Sequence, residues 1–593
     1  MSVEKLIVDH METWTSALQT RSTAGRGSSG KNDLYGIKKL RELILELAVR
    51  GKLVPQDPND EPASELLKRI AAEKAELVKQ GKIKKQKPLP EISEEEKPFE
   101  LPEGWEWTTL TRIAEINPKI DVSDDEQEIS FIPMPLISTK FDGSHEFEIK
   151  KWKDVKKGYT HFANGDIAIA KITPCFENSK AAIFSGLKNG IGVGTTELHV
   201  ARPFSDIINR KYLLLNFKSP NFLKSGESQM TGSAGQKRVP RLFFENNPIP
   251  FPPLQEQERI IIRFTQLMSL CDQLEQQSLT SLDAHQQLVE TLLGTLTDSQ
   301  NAEELAENWA RISEHFDTLF TTEASVDALK QTILQLAVMG KLVPQDPNDE
   351  PASELLKRIA HEKAQLVKEG KIKKQKPLPP ISDEEKPFEL PEGWEWCRLG
   401  DLALKSEAGW SPQCENEPRS GNQWGVLKIS AVTWGEYRPQ ENKALPEHLL
   451  PRQEYEVKEN DFLISRANTS ELVARSVVVP ENPPINLMLS DKIIIFEFSS
   501  FANPYYINLV NNSVFSRKYY KDVAGGTSSS MKNVSRNQVS ELVIALPCYK
   551  EQLKITETLK QYMKICEELS SQIQSAQQTQ LHLADALTDV TIN

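Results

Sequence analysis

At 593 residues the chain is too long for a single core and suggests roughly three to five structural units. Its composition, 38% hydrophobic and 26% charged with a mean hydropathy of −0.46, points away from a membrane-spanning chain, because no apolar run approaches the ~20 residues needed to cross a bilayer. The net charge of −13 disfavours indiscriminate phosphate binding, but it is unevenly placed: residues 254–325 hold three basic against thirteen acidic groups, residues 108–253 nineteen against sixteen, and residues 397–547 sixteen against seventeen. The acidity sits in one connecting stretch, and the regions flanking it are electrostatically free to approach a polyanion.

The amino terminus, MSVEKLIVDHMETW, has acids inside its apolar stretch and predicts a short helix, not a secretion signal. GRGSSGKN (Gly25–Asn32) fits the G-x-x-x-x-G-K of a phosphate loop but has Asn32 where a Mg2+-binding Ser or Thr belongs. The preceding ALQTRSTA shows no strand pattern, so a flexible loop is expected there. Cys175, Cys271, Cys397, Cys414, Cys548 and Cys566 are scattered, without a C-x-x-C pair or a nearby His cluster. That pattern indicates reduced thiols in the cytoplasm and no structural metal.

The organising feature is a repeat. Gly51–Trp107 and Gly340–Trp396 are 57-residue copies that differ only at positions 72, 76, 80, 91 and 94 of the first. Within each copy, ASELLKRIAAEKAELVKQGKIKKQK places Leu66, Leu67, Ile70, Ala71, Ala75, Leu77 and Val78 mostly on one helical face. Ser64, after Pro62, falls in the cap region and Gly81 is the stop. An extended, Pro-punctuated linker follows.

The regions after each copy, 108–251 and 397–546, share little identity but are of nearly equal length. Weak echoes persist in register. GDIAIAK (Gly165–Lys171) parallels NDFLISR (Asn460–Arg466), and GSAGQKRVPR (Gly232–Arg241) parallels TSSSMKNVSR (Thr527–Arg536). Nearly identical connectors beside diverged domains imply a shared job for the former and different targets for the latter. GIGVG (Gly190–Gly194) lacks the helix a cofactor-binding turn requires. NPPI (Asn482–Ile485) lacks the aromatic ring that stacks on a flipped base. No Ser-His-Asp set, metal-spaced acid cluster or nuclease core emerges, so a binding protein is indicated.

Beyond each diverged region, apolar residues recur at steps of four and three. Ile260, Phe264, Leu267, Cys271, Leu274, Leu288 and Leu292 form one series, and Ile555, Leu559, Tyr562, Cys566, Leu569, Ile573, Ala576, Leu583 and Leu587 form the matching one, with weaker polar slots between. Such alternation predicts two long coiled-coil helices with these residues on the seam. At ~1.5 Å per residue each would span roughly 65 Å. His285 falls on the same stripe and is read as a polar seam position, not a metal ligand.

Each diverged domain opens with LPEGWEW (Leu101–Trp107 and Leu390–Trp396) and closes with Pro-x-x-x-Glu-Gln-x-x-Ile (Pro252–Ile260 and Pro547–Ile555) leading into a long helix. With the internal repeat, this order closely resembles the specificity subunit of type I restriction-modification enzymes. The resemblance implies an α+β fold: two α/β target recognition domains held apart by an antiparallel pair of long coiled-coil helices, with an internal pseudo-two-fold repeat. The implied division is 1–107 N-terminal helical region and first connector, 108–253 first recognition domain, 254–325 central helix and acidic connector, 326–396 second connector, 397–547 second recognition domain and 548–593 C-terminal helix. It also implies a non-catalytic, cytoplasmic subunit that binds double-stranded DNA, each domain reading half of an asymmetric bipartite target. Two modification subunits with S-adenosylmethionine would methylate adenine, and two restriction subunits would add ATP- and Mg2+-dependent translocation and cleavage. The repeated connector would then present the same docking surface twice. A free-standing regulator that binds bipartite operators unaided, or a protein-binding scaffold with no salt-linked DNA affinity, are the competing classes.

Base readout in the major groove uses Arg or Lys on guanine and Asn or Gln on adenine, while phosphate contacts set the register. The Gly/Ser-rich loops with basic ends are the best candidates: Gln236, Lys237, Arg238 and Arg241 in the first domain, and Lys532, Asn533 and Arg536 in the second. Lys171 and Arg466, at the ends of the echoed strands, and Asn468 come next. Trp105, Trp107, Trp394 and Trp396 are expected to pack the domain entrances instead of stacking on bases.

Overall fold

The computed structural model describes residues 3–21, 31–85, 91–233, 235–528 and 531–592. The chain forms two compact units, residues 1–282 with 575–593 and residues 283–574. Each unit holds one diverged domain, one copy of the repeat and a part of each long helix.

In the first unit, helices Val3–Asp9 and Met11–Ser16 form at the amino terminus as its apolar spacing predicts. The stretch ALQTRSTA departs from expectation, since Gln19–Arg21 pairs antiparallel with Lys31–Asp33. Cross-strand hydrogen bonds override the weak local strand preference. Most of the phosphate-loop look-alike lies outside the described residues. The repeat forms helix Ala63–Lys79, with Pro62 at the N-cap and Ser64 already inside the first turn. Gly81, at φ +68, follows the end of the helix. Ala63, Leu66 and Ile70 are buried in the domain core, whereas Ala71 and Ala75 stay exposed.

The first diverged domain is built on two four-stranded sheets. One runs Ala114–Ile116, Leu198–Pro203, Ile167–Ala170, Ala181–Ile183, and is antiparallel throughout. The second has one parallel contact, between Glu128–Ile132 and Ile191–Gly194. The GIGVG segment is the latter strand, and its glycines serve packing: a Cβ on Gly192 would meet the Phe162 ring at 2.3 Å, and one on Gly194 the Ile132 carbonyl at 2.6 Å. In the second unit the order Ala403–Ala408, Ile493–Phe498, Phe462–Ser465, Ser476–Val478 repeats the first sheet. A parallel contact recurs between Gly425–Leu427 and Leu487–Met488. The sequence-diverged domains therefore share one four-stranded sheet order and one parallel pairing, while the sheets around that pairing differ.

The repeat, the diverged domain and the start of the long helix meet at one junction, built the same way in both units. Glu256, in the first turn of helix Leu254–Asp298, accepts the indole N–H of Trp105 at 3.0 Å on one oxygen and the Gln56 amide at 3.1 Å on the other. Glu551, starting helix Tyr549–Ile592, accepts from Trp394 at 3.1 Å and Gln345 at 3.2 Å. The neighbouring Gln257 and Gln552 accept the backbone N–H of Asn209 at 3.3 Å and of Asn503 at 2.8 Å. Tyr212 and Tyr506 donate to the closing strands at Pro250 and Ala545. Gly51 and Gly340, at φ +69 and +72, pass so close to Trp105 and Trp394 that a Cβ would come within 2.9 and 2.8 Å of the rings. Trp107 and Trp396 pack on Phe99 and Phe388, with ring centroids 5.1 and 5.0 Å apart. The tryptophans are thus domain-entrance packing.

Both long helices form, at Leu254–Asp298 and Tyr549–Ile592. In the first unit Ile260, Phe264, Leu267, Cys271 and Leu274 share a core with Ala584, with helix Tyr35–Val49 and, at its margin, with Leu587. In the second, Val289, Leu293 and Leu296 share one with Cys566, Ile573 and helix Glu323–Val338, flanked by Leu292, Leu559 and Leu569, while Ile555 is buried in the adjoining domain core. The early part of one helix thus meets the late part of the other, and the reverse, which is antiparallel order. His285 donates from Nε2 to the Leu319 carbonyl at 3.0 Å.

Four seam assignments are corrected, Tyr562 and Ala576 being exposed as well as the two leucines that follow. Leu288 and Leu583 are 51% and 46% exposed, and their neighbours Val289 and Ala584 are buried instead. A strict heptad stripe drifts by ~20° per heptad on a straight helix, so four heptads from Ile260 accumulate about 80°, nearly one residue. The buried face accordingly steps by eleven from Ile573 to Ala584, and each unit lays a third helix on the stripe. Val289→Asp should therefore destabilise the second unit by ~3 kcal/mol or more, by burying a charge, while Leu288→Asp should stay within about 0.5 kcal/mol of the parent. Thermal melts of the two variants check this register; equal losses would contradict it.

Candidate functional site

In the first domain three segments are stitched into one edge. Strand Ile167–Ala170 runs into Lys171, whose N–H donates to the Glu197 carbonyl at 2.9 Å and whose carbonyl accepts from Val239 N–H at 2.8 Å. Thr173 N–H donates to the Lys237 carbonyl at 3.0 Å, and Lys237 N–H returns to the Thr173 hydroxyl at 3.1 Å. Lys171, Gln236, Lys237 and Arg238 are thereby gathered. Gln236 and Lys237 are exposed. Arg238 is engaged by Glu197, with Nη2 at 2.8 Å and Nε at 2.9 Å from its oxygens. The guanidinium holds the Glu197 carboxyl below its ordinary pKa range. Arg241 opens helix Arg241–Asn246 and pairs with Glu245 at 2.7 Å.

The second domain repeats the frame. Arg466 N–H donates to the Lys492 carbonyl at 2.8 Å, and its own carbonyl accepts from Val534 N–H at 2.9 Å. Asn468 and Lys532 face each other across the pairing of Ala467–Asn468 with Met531–Asn533. Arg466 and Asn533 are exposed. Asn468 is half-buried, its amide on the Thr433 hydroxyl at 3.3 Å. Lys532 Nζ donates to the Gly526 carbonyl at 2.9 Å and Arg536 to the Ser406 carbonyl at 2.8 Å. Glu197 and Lys492 escape the sequence reading. They hold equivalent places in the frame, and only the register of the echoed strands could have pointed to them.

Sequence comparison places the chain in a family. Residues 102–284 and 391–576 match the family described as the type I restriction modification DNA specificity domain. The chain is 74% identical to the type I restriction enzyme EcoAI specificity subunit of Escherichia coli and 70% identical to the EcoEI specificity subunit of the same organism, in each case over the whole of both chains. Among solved structures it is similar to the HsdS subunit of Thermoanaerobacter tengcongensis, at 15% identity and a TM-score of 0.44, covering 84% of this chain and 98% of that one. The chain belongs to the type I restriction-modification specificity subunits, the non-catalytic proteins that give these systems their DNA target recognition.

Beneath the first edge lies His199, stacked on Phe244 with ring centroids 5.1 Å apart and donating from Nε2 to the Val239 carbonyl at 3.1 Å. Burial pulls its pKa down to about 4; the second domain has Ile494 at the corresponding place in its strand. The folded state keeps the imidazole neutral, while the unfolded chain takes up a proton below about pH 6.5. His199 thus contributes stability that is present above about pH 6.5 and lost as pH falls toward 4, on the order of 2–3 kcal/mol. His199→Gln, which keeps a donor for Val239 but cannot titrate, should flatten this acid slope. Unfolding free energies measured for both proteins across that range check it; parallel slopes would remove His199 from the acid response.

Proposed function

We propose that each diverged domain reads one half of an asymmetric, bipartite DNA target with the edge described above. The observation that carries this reading is a common backbone frame bearing different side chains: Lys171, Glu197 and Arg238 in one domain, Arg466, Lys492 and Asn533 in the other. Gln236, Lys237, Arg241, Asn468, Lys532 and Arg536 complete the candidate contact set, some to bases and some to phosphates. The chemistry belongs to partners. Two modification subunits would bring S-adenosylmethionine and methylate adenine, and two restriction subunits would bring ATP- and Mg2+-dependent translocation and cleavage. A cytoplasmic setting fits the six free cysteines.

The repeat supports a pair of equivalent docking surfaces. All five positions at which its copies differ are exposed in both. Packing accounts for the identity of Leu66, Ile70 and Trp105, which are buried. It does not account for the identity of exposed positions such as Lys68 and Arg69, which a common external partner would explain.

Replacing residues 108–251 by the corresponding domain of a relative should change one half of the methylated sequence and leave the other intact, as mapped by methylated adenines genome-wide. A shift of both halves would reject the two-reader assignment. Co-expressed with its modification subunit, the chain should purify with two copies of it, as read by native mass spectrometry. A 1:1 complex at saturating partner would reject the paired docking surfaces.

A further inference from the structure

We propose that Arg238 reads a guanine in the first half-site and that Glu197 is the positioning residue that aims it. The inference rests on the reading of this domain as a DNA reader and adds the base and the side chain. A guanidinium carries five N–H donors in a rigid plane. Here Nε and Nη2 face the two Glu197 oxygens at 2.9 and 2.8 Å, and Nη1 donates to the Gln236 carbonyl at 3.0 Å. The described contacts thus leave one N–H on each terminal nitrogen, the pair a bidentate contact to guanine O6 and N7 requires. The side chain is 43% exposed, so its outer edge is accessible. Its other edge is held by the carboxylate, which removes much of the rotamer freedom that binding would otherwise cost.

A plain surface ion pair would have no reason to occupy this place. Arg238 bridges to both Ile172 and Thr231, the two strand-like segments that form the edge, and Glu197 is the residue whose carbonyl receives Lys171 N–H. In the second domain the same frame carries Lys492 opposite Asn533, a combination that cannot form a carboxylate–guanidinium pair. Asn is the side-chain type that pairs with adenine. The frame is common to the two domains, and the seat within it has changed chemistry.

The test uses the complex with the modification subunit and reads sequence preference from methylation of targets varied at every position. Arg238→Ala should relax a single G·C position of the first half-site, lowering discrimination there by ~5- to 150-fold, as expected for loss of one bidentate contact. The other half-site should be unchanged. The charge-swapped pair Glu197→Arg with Arg238→Glu restores an ion pair, and should recover the melting temperature without recovering the guanine preference. Glu197→Gln should weaken that preference less than Arg238→Ala does. If Arg238→Ala leaves every position as strict as before, or if the charge swap restores strictness, Arg238 is a structural tie and the inference is overturned. A domain replacement that leaves the methylated sequence unaltered would instead reject the underlying assignment of this domain to DNA reading.

Discussion

A buried carboxylate with two donors, one on each oxygen, holds each unit together. Glu256 and Glu551 each sit at the first turn of a long helix, where the free backbone N–H groups favour negative charge. Burial raises their pKa, and the donors from Gln56 and Trp105, or Gln345 and Trp394, oppose that rise. Removing any one partner would leave a buried polar group unsatisfied, at a cost of about 1–3 kcal/mol. The acid comes from the helix, while the amide and the indole come from the two ends of the repeat, so the repeat cannot shift against the helix without breaking one of these bonds. These two bonds fix the start of each long helix against the segment that opens the recognition domain.

That constraint explains why the buried positions of the repeat tolerate so little change while the domains tolerate so much. Gly51, Gln56, Ala63, Leu66, Ile70 and Trp105 face the junction or the domain core, and each is matched by its counterpart in the second copy. The diverged domains obey a looser rule. Their strands must keep order and their buried faces apolar, but the side chains on the outer edge face solvent, where most replacements cost little stability. Lys171 can become Arg466 and Glu197 can become Lys492 without disturbing the backbone bonds that hold both edges. A scaffold rigid at the junction and permissive at the edge lets target preference vary without loss of assembly.

Not every polar residue in the first domain's edge is exposed. His199 lies just under it, neutral because burial penalises its charged form, and Val239 links it to the backbone of the edge. The second domain fills the place with Ile494. The two edges therefore differ in acid sensitivity as well as in the groups they present.

Much of this was legible in the chain as written. The repeat, the long helices and the helix in each connector all follow from local patterns, because they depend on residues a few places apart or on two copies being compared. Tertiary structure alone decided three things. The buried stripe of each long helix moves by one residue, from Leu288 to Val289 and from Leu583 to Ala584, because a straight helix does not follow a heptad and the neighbours that cover it come from elsewhere in the chain. Trp105, Gln56 and Glu256 converge across separations of up to 200 residues, which no spacing rule anticipates. And Arg238 meets Glu197 because Lys171 bonds to both of their chain segments. Local periodicity specifies which elements form, whereas the partner that each face and each charge finds is a long-range packing outcome.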